Sequence, residues 1–263
     1  MMDKKQLIDD LLAVRVKSPL VQNITNYVVM NNTANALLAL GASPIMAHAK
    51  EEMVEMTSIV SALVLNIGTL SNEWVDSMIL AGKTALKKGI PIVLDPVGAG
   101  ATSYRTDTCL RLIKECKPSV IRGNGSEIMA LVDSDIKTKG VDSSVSSSSA
   151  LDSAKYLAKE ACAVVVISGE IDYITDGEKV IEVRNGSTMM TKVTGMGCTA
   201  TALVGAFLAV NSDTLTASAN AMAIMGIAGE ISATKSLGTG SMQVNFLDEL
   251  YIISEKEINR YLR

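Results

Sequence analysis

The residues best placed to do chemistry lie in Thr194–Gly195–Met196–Gly197–Cys198, a glycine-rich turn that runs into an apolar helical stretch, Ala200 to Val210. Glycines let a chain turn tightly and bring main-chain N–H groups close to a ligand. A helix that follows such a turn offers four unpaired N–H groups and a partial positive charge. That combination suits an anion, phosphate above all. A thiol, Cys198, stands at the helix mouth. The same pattern also describes a plain tight turn feeding a core helix, so by itself it decides nothing.

Four more polar turns follow apolar runs: Asn66 to Thr69, Leu94 to Gly100, Ile121 to Glu127 and Ile167 to Glu170. They supply the carboxylates Asp95 and Glu127, the guanidinium of Arg122 and the hydroxyl of Ser168. Each has a plainer account. Asp-Pro is a common turn, Glu127 stands at a helix start where the dipole favours a carboxylate, and Arg122 could form a surface ion pair. Their joint weight comes from position, because open parallel sheets bind ligands at the carboxyl ends of their strands. Asn23, Thr25 and Asn26 read as a helix start, either as caps or as a polar wall facing a ligand. The Gly82–Lys83–Thr84 triplet is rejected as a phosphate loop. Ser77 stands where the first glycine belongs, and the segment reads as mid-helix.

The elements that must position these groups alternate. Ala62 to Gly68 reads as a strand, Ile90 to Gly100 and Pro118 to Asn124 each as a strand that runs into a turn, and Ala161 to Glu170 as a buried strand ending at Ser168–Gly169, with helices over Trp74 to Lys88 and Asp107 to Lys117. Continuous apolar strands separated by helices indicate a parallel sheet covered on both faces. Ile171 to Gly186 breaks the rhythm and reads as a β-hairpin around a Gly-containing turn. After Gly197 the pattern is nearly all helix, and Asn220 to Lys235, rich in Ala and Met, reads as core or subunit contact. The serine tract Asp142 to Lys155 reads as a mobile surface loop that ends in a helix N-cap, rather than a linker between domains. One domain spanning residues 1–263 is the expectation.

Composition narrows the function. Apolar residues make up 48% and charged residues 20% of the 263, which marks a globular chain. Aromatics at 3% are too few for a base-stacking platform, and a net charge of -4 disfavours nucleic acid and anionic membranes as partners. Four cysteines without a C-x-x-C pair and a single histidine, His48, argue against a zinc site, a disulfide framework and a Ser-His-Asp hydrolase. The opening stretch reads as a charged amphipathic helix with no apolar signal core, and no run reaches a membrane span. A reduced, soluble, cytoplasmic protein is expected.

Thr194 to Cys198 resembles the anion-hole turn of ribokinase-like sugar and vitamin kinases, with Cys198 in place of the usual aspartate. Together with Ser18 to Met46, Leu65 to Leu70, Leu94 to Arg105, Ile121 to Leu131 and Asp172 to Gly177, that replacement is similar to the hydroxyethylthiazole kinases of thiamine biosynthesis and salvage, along essentially the whole chain. The resemblance implies a three-layer α/β/α fold with a central, mainly parallel sheet. It implies phosphorylation of 4-methyl-5-(2-hydroxyethyl)thiazole on its alcohol, with ATP as donor and Mg²⁺ as cofactor, in a homotrimer whose substrate pockets lie between subunits. Carried over by motif, Arg122 and Ser168 contact ATP, Met46 and Gly195 line the thiazole site, and Asp95 and Glu127 organise the metal. Asn26 belongs to the polar wall for the hydroxyethyl group. The amides from Gly195 to Cys198, Gly197 included, receive charge developing on the moving phosphoryl group. Cys198 is either a general base or a small group that leaves room for the alcohol. Two alternatives stay open: a vitamin kinase for a hydroxymethylpyrimidine or pyridoxal alcohol, and a non-catalytic nucleotide-binding regulator.

Overall fold

The structure, a computed structural model, describes residues 2–132 and 146–263. The strands are β1 Leu20–Ile24, β2 Ser43–Ile45, β3 Ala62–Asn66, β4 Ile92–Asp95, β5 Val120–Asn124, β6 Val164–Ser168, β7 Asp172–Thr175 and β8 Val180–Val183. The helices are α1 Lys4–Lys17, α2 Met30–Leu40, α3 Met53–Thr57, α4 Asn72–Lys88, α5 Ser103–Cys116, α6 Gly125–Ala130, α7 Leu151–Ala161, α8 Met196–Leu208, α9 Thr214–Lys235, α10 Thr239–Ile252 and α11 Glu255–Tyr261.

All eight strands form one sheet in the order β2-β1-β3-β4-β5-β6-β7-β8. The first six are parallel, and the β7–β8 hairpin closes one side antiparallel. Strand side chains alternate between the faces, and the cores divide accordingly. Val21, Val64, Val93, Val120 and Val166 pack with α1, α2, α8, α9 and α10. Leu63, Leu65, Ile92, Leu94, Ile121 and Val165 pack with α4, α5 and α7. This is the expected three-layer α/β/α arrangement. Each fully buried aliphatic side chain contributes about 1.5–3 kcal/mol, so the strands are pinned by burial on both sides and their carboxyl ends are held rigidly.

Capping residues set several helix starts. Ser71 accepts from the amide of Trp74, and Thr102 from that of Arg105. Asn124 and Glu127 form a reciprocal box at α6. These caps place the starts of α4 and α5 a few residues before the apolar periodicity begins.

Two expectations are corrected. Asn23 does not open a helix. It lies inside β1, where its Nδ2 donates to the carbonyl of Val21, two residues back (3.0 Å), and the helix begins only at Met30. Val21 and Ile24 are fully buried between the helix layers, and that burial outweighs the helix-cap tendency of the asparagines. Nor do the serines cap α7. Ala150 holds the cap position without a side-chain bond, while the hydroxyl of Ser147 donates to Ile171 O at 2.7 Å. The earlier part of the tract, 142–145, lies outside the described residues.

Candidate active site

The carboxyl ends of β1, β3, β4, β5 and β6 meet the amino end of α8. At its mouth Gly195 takes φ 85°, a left-handed conformation that a side chain would strain, and a Cβ there would meet Val29 Cγ1 at 2.9 Å. No side chain caps α8. Its first amides, on Met196, Gly197 and Cys198, precede the first intrahelical bond, from Thr199 N to Gly195 O (2.8 Å).

Arg122 leaves β5 toward that mouth. Its Nη2 donates to Ser168 Oγ at 2.6 Å, joining the ends of two neighbouring strands. A Cβ on Gly197 would stand 2.9 Å from Nη1, so the guanidinium lies against the helix mouth and Gly197 leaves it that space. The Arg122 Nε is buried without a hydrogen-bond partner. Two positive ends, a guanidinium and a helix N-terminus, thus face the same point. An anion there offsets both.

A second network begins one strand over. Asp95, 1% exposed, accepts from Asn66 Nδ2 (2.9 Å) and Thr201 Oγ1 (2.7 Å), both at Oδ2. Asn66 in turn accepts, at its Oδ1, from Asn26 Nδ2 (3.0 Å) and the amide of Gly68 (2.9 Å). Asn26 also donates to Cys198 Sγ at 3.5 Å, which closes the loop back to α8. Burial raises the Asp95 carboxyl above its ordinary range, opposed by Arg122 and by its two donors. Burial and then the Asp95 charge push the Cys198 thiol up to about 12. A thiol held that high stays protonated at neutral pH.

Glu127 is clamped differently. Its Oε1 accepts from Gly98 N (2.8 Å) and its Oε2 from Asn124 N (2.9 Å). Burial first, then Asp95, raise it to about 7, against the pull of those amides. As a donor set the pair fits a hard divalent cation in one respect: both are oxygen ligands in one field, and carboxylates suit Mg²⁺. Glu127 has both oxygens engaged by main chain, whereas Asp95 carries both of its bonds on Oδ2. Among the described residues no group of three or more His, Cys, Asp and Glu is arranged to hold a metal. Mg²⁺ does not need one, because it usually keeps several waters and takes substrate phosphates as ligands.

Of the sequence candidates, Cys198, Gly197, Gly195, Arg122, Ser168, Asp95, Glu127 and Asn26 fall together at this edge. Met46 stands one strand out, just past the Gln22–Ile45 pair at the sheet's border, outside the hydrogen-bonded network. Thr201 and Arg105 were missed, and Asn66 was seen only as part of a turn. Thr201 was findable, since it follows Cys198 by three residues on one helix face. A cavity of about 320 Å³ beside Gln6, Asn211 and Asn220 lies beyond the far end of α8, and one of about 250 Å³ lies between the starts of α4 and α5, beside Asn72, Tyr104 and Arg111. No helix of the described residues is long and apolar enough to cross a membrane.

A parallel sheet with its polar network at the strand ends and a glycine-mouthed helix over it defines the ribokinase-like class. The solved structure of pyridoxal kinase from Staphylococcus aureus, in complex with AMP-PCP and pyridoxal, shares the fold at 17% identity, with a TM-score of 0.60 over 81% of this chain and 88% of that one. Within that class, the family model for the hydroxyethylthiazole kinase family matches residues 11–256, and this chain belongs to that family. Hydroxyethylthiazole kinase from Leptospira biflexa is 55% identical over 98% of this chain and 97% of its own length. The structure of the hydroxyethylthiazole kinase protein from Pyrococcus horikoshii OT3 superposes with a TM-score of 0.90 at 42% identity, covering 98% of each chain.

Proposed function

We propose that this chain, as one kinase domain over residues 1–263, transfers the terminal phosphoryl group of ATP to the alcohol of 4-methyl-5-(2-hydroxyethyl)thiazole, a step of thiamine biosynthesis or salvage in the cytoplasm. The observation that carries the reading is the Arg122 guanidinium set against the uncapped mouth of α8. Phosphoryl transfer depends mostly on positioning and charge stabilisation, and this is a place where phosphate charge is stabilised from two sides.

Arg122 and Ser168 bind ATP phosphates, and the amides of Gly197 and Cys198 receive the charge that develops on the moving group. Asn26, Gly195 and Met46 border the alcohol. Cys198, its thiol neutral, keeps space for the hydroxyl and acts as a weak hydrogen-bond partner rather than as a thiolate base. A dissociative transfer releases the alcohol proton late and tolerates the lack of a strong base. Asp95 would hold Mg²⁺ and Glu127 would reach it through water. When bound, the ion neutralises phosphate charge. Tyr27 and Val28 directly follow Asn26 and are 63% and 70% exposed. A neighbouring subunit of a homotrimer would cover these apolar groups and close the alcohol side.

The test is ATP- and Mg²⁺-dependent phosphorylation of the thiazole, hydroxymethylpyrimidine and pyridoxal alcohols side by side. Preference for the thiazole is expected. Faster turnover of either other alcohol overturns the substrate assignment, and nucleotide binding without turnover of any of the three marks a regulator instead.

A further inference from the structure

Arg105 lies three residues into α5 and belongs to neither network, yet its guanidinium grips both of the loops that carry them. Nη1 donates to Ile67 O and to Val97 O, each at 2.8 Å, and Nη2 donates to Gly68 O at 3.0 Å. Ile67 and Gly68 directly follow Asn66, the residue that feeds Asp95. Val97 lies two residues after Asp95 and one before Gly98, whose amide is held by Glu127. A single planar group therefore ties together three carbonyls from two strand-end loops, on the side opposite α8. The arginine's shaft lies against Gly98. Hydrogen bonds from a charged donor are the strong kind, and a lysine has no fork with which to reproduce three of them in one plane.

We propose that Arg105 is a positioning residue for phosphoryl transfer: it fixes the spacing between the β3 and β4 ends and so holds the Asn66–Asp95 pair in register with the mouth of α8. The inference rests on the kinase reading above. Small displacements of reacting groups are costly, and a misplacement of about 1 Å can cost about 100-fold in rate.

The experiment compares the unaltered protein with Arg105→Ala and Arg105→Lys. Arg105→Ala is expected to lower kcat by about 10- to 100-fold while KM for ATP and for the alcohol moves by less than about threefold. Arg105→Lys should recover only a small part of the loss. Millimolar methylguanidinium should raise kcat of the alanine variant several-fold and leave the unaltered protein unchanged. Unchanged kcat in Arg105→Ala overturns the proposal, as does a loss that tracks the unfolded fraction and is not rescued. A readout without activity separates this inference from the kinase reading. Hydrogen exchange should accelerate at the amides of Gly68 and Gly98 in Arg105→Ala, while the core strand amides of Val64 and Leu65 stay protected. Should the unaltered protein fail to phosphorylate the thiazole alcohol, the function falls, and exchange still judges Arg105. Acceleration confined to the two loops supports the positioning role, and uniform or absent acceleration refutes it.

Discussion

Two buried carboxylates, Asp95 and Asp10, lie near opposite ends of α8, separated by about 20 Å of helix, and both are fed by asparagine side chains. Asp10, on α1, accepts from Gln6 Nε2 at Oδ1 and from Asn211 Nδ2 and Asn220 Nδ2 at Oδ2, each at 2.8 Å. Both of its oxygens are engaged by neutral amides that join α1, the α8–α9 connection and α9. Asp95 has its two donors crowded on one oxygen, a guanidinium in its field and a helix mouth beside it. The contrast teaches how similar chemistry is divided. A carboxylate saturated by amides acts as a clamp, whereas one with an oxygen left over beside a positive helix end is available for a reaction.

The sharpest way to break this contrast is Asp95→Asn. The amide keeps an oxygen for Asn66 and Thr201 but removes the charge, so kcat should fall by about 10³-fold. Because burial opposes ionisation of Asp95, the melting temperature should hold or rise, and a kinetic assay with a thermal melt checks both. Gly197→Ala should cost about 100-fold in kcat/KM for ATP, since the new Cβ presses on the Arg122 Nη1 beside the amides meant for phosphate. Asp10→Ala should do the reverse. It strands three amide donors and should lower unfolding free energy by about 3 kcal/mol in denaturant titration, with kcat within about twofold of the unaltered protein. Equal kcat losses at Asp10 and Asp95 would dissolve the distinction.

The smallest effect extends the comparison to Asp172, another buried carboxylate, which accepts from Gly169 N at 3.0 Å and is raised by burial to about 6. Its folded-state value lies above the unfolded one near 3.8. The stability it lends is therefore complete below about pH 4 and is lost as the pH rises through 6. Asp172→Asn should flatten that part of the stability–pH curve, measured by denaturant midpoints at several pH values.

Much of this was legible along the chain. The runs ending at Asn66, Asp95, Asn124 and Ser168 announced buried parallel strands, because continuous aliphatic residues between helical patterns fit little else. The hairpin around Asp176–Gly177 was equally plain. β1 and β2 escaped because β1 is half polar and β2 has three residues, so neither carries a period long enough to read. The candidate residues were legible as polar groups at strand ends, but their partners were not. Asn26 and Asn66 are 40 residues apart, and Thr201 and Asp95 are 106 apart.

The sequence by itself determined that a parallel sheet would form, that its carboxyl ends would carry carboxylates, an arginine and a hydroxyl, and that a glycine turn would open a helix suited to phosphate. Those are consequences of local pattern and backbone freedom. Only the tertiary structure decided that Arg122 faces the mouth of α8, that Asp95 shares its donors on one oxygen while Asp10 is saturated, that Cys198 stays protonated, and that Arg105 binds two loops together. Each of these depends on distance, burial and the direction of a donor, which are set when remote segments pack against one another and are written in no single stretch of chain.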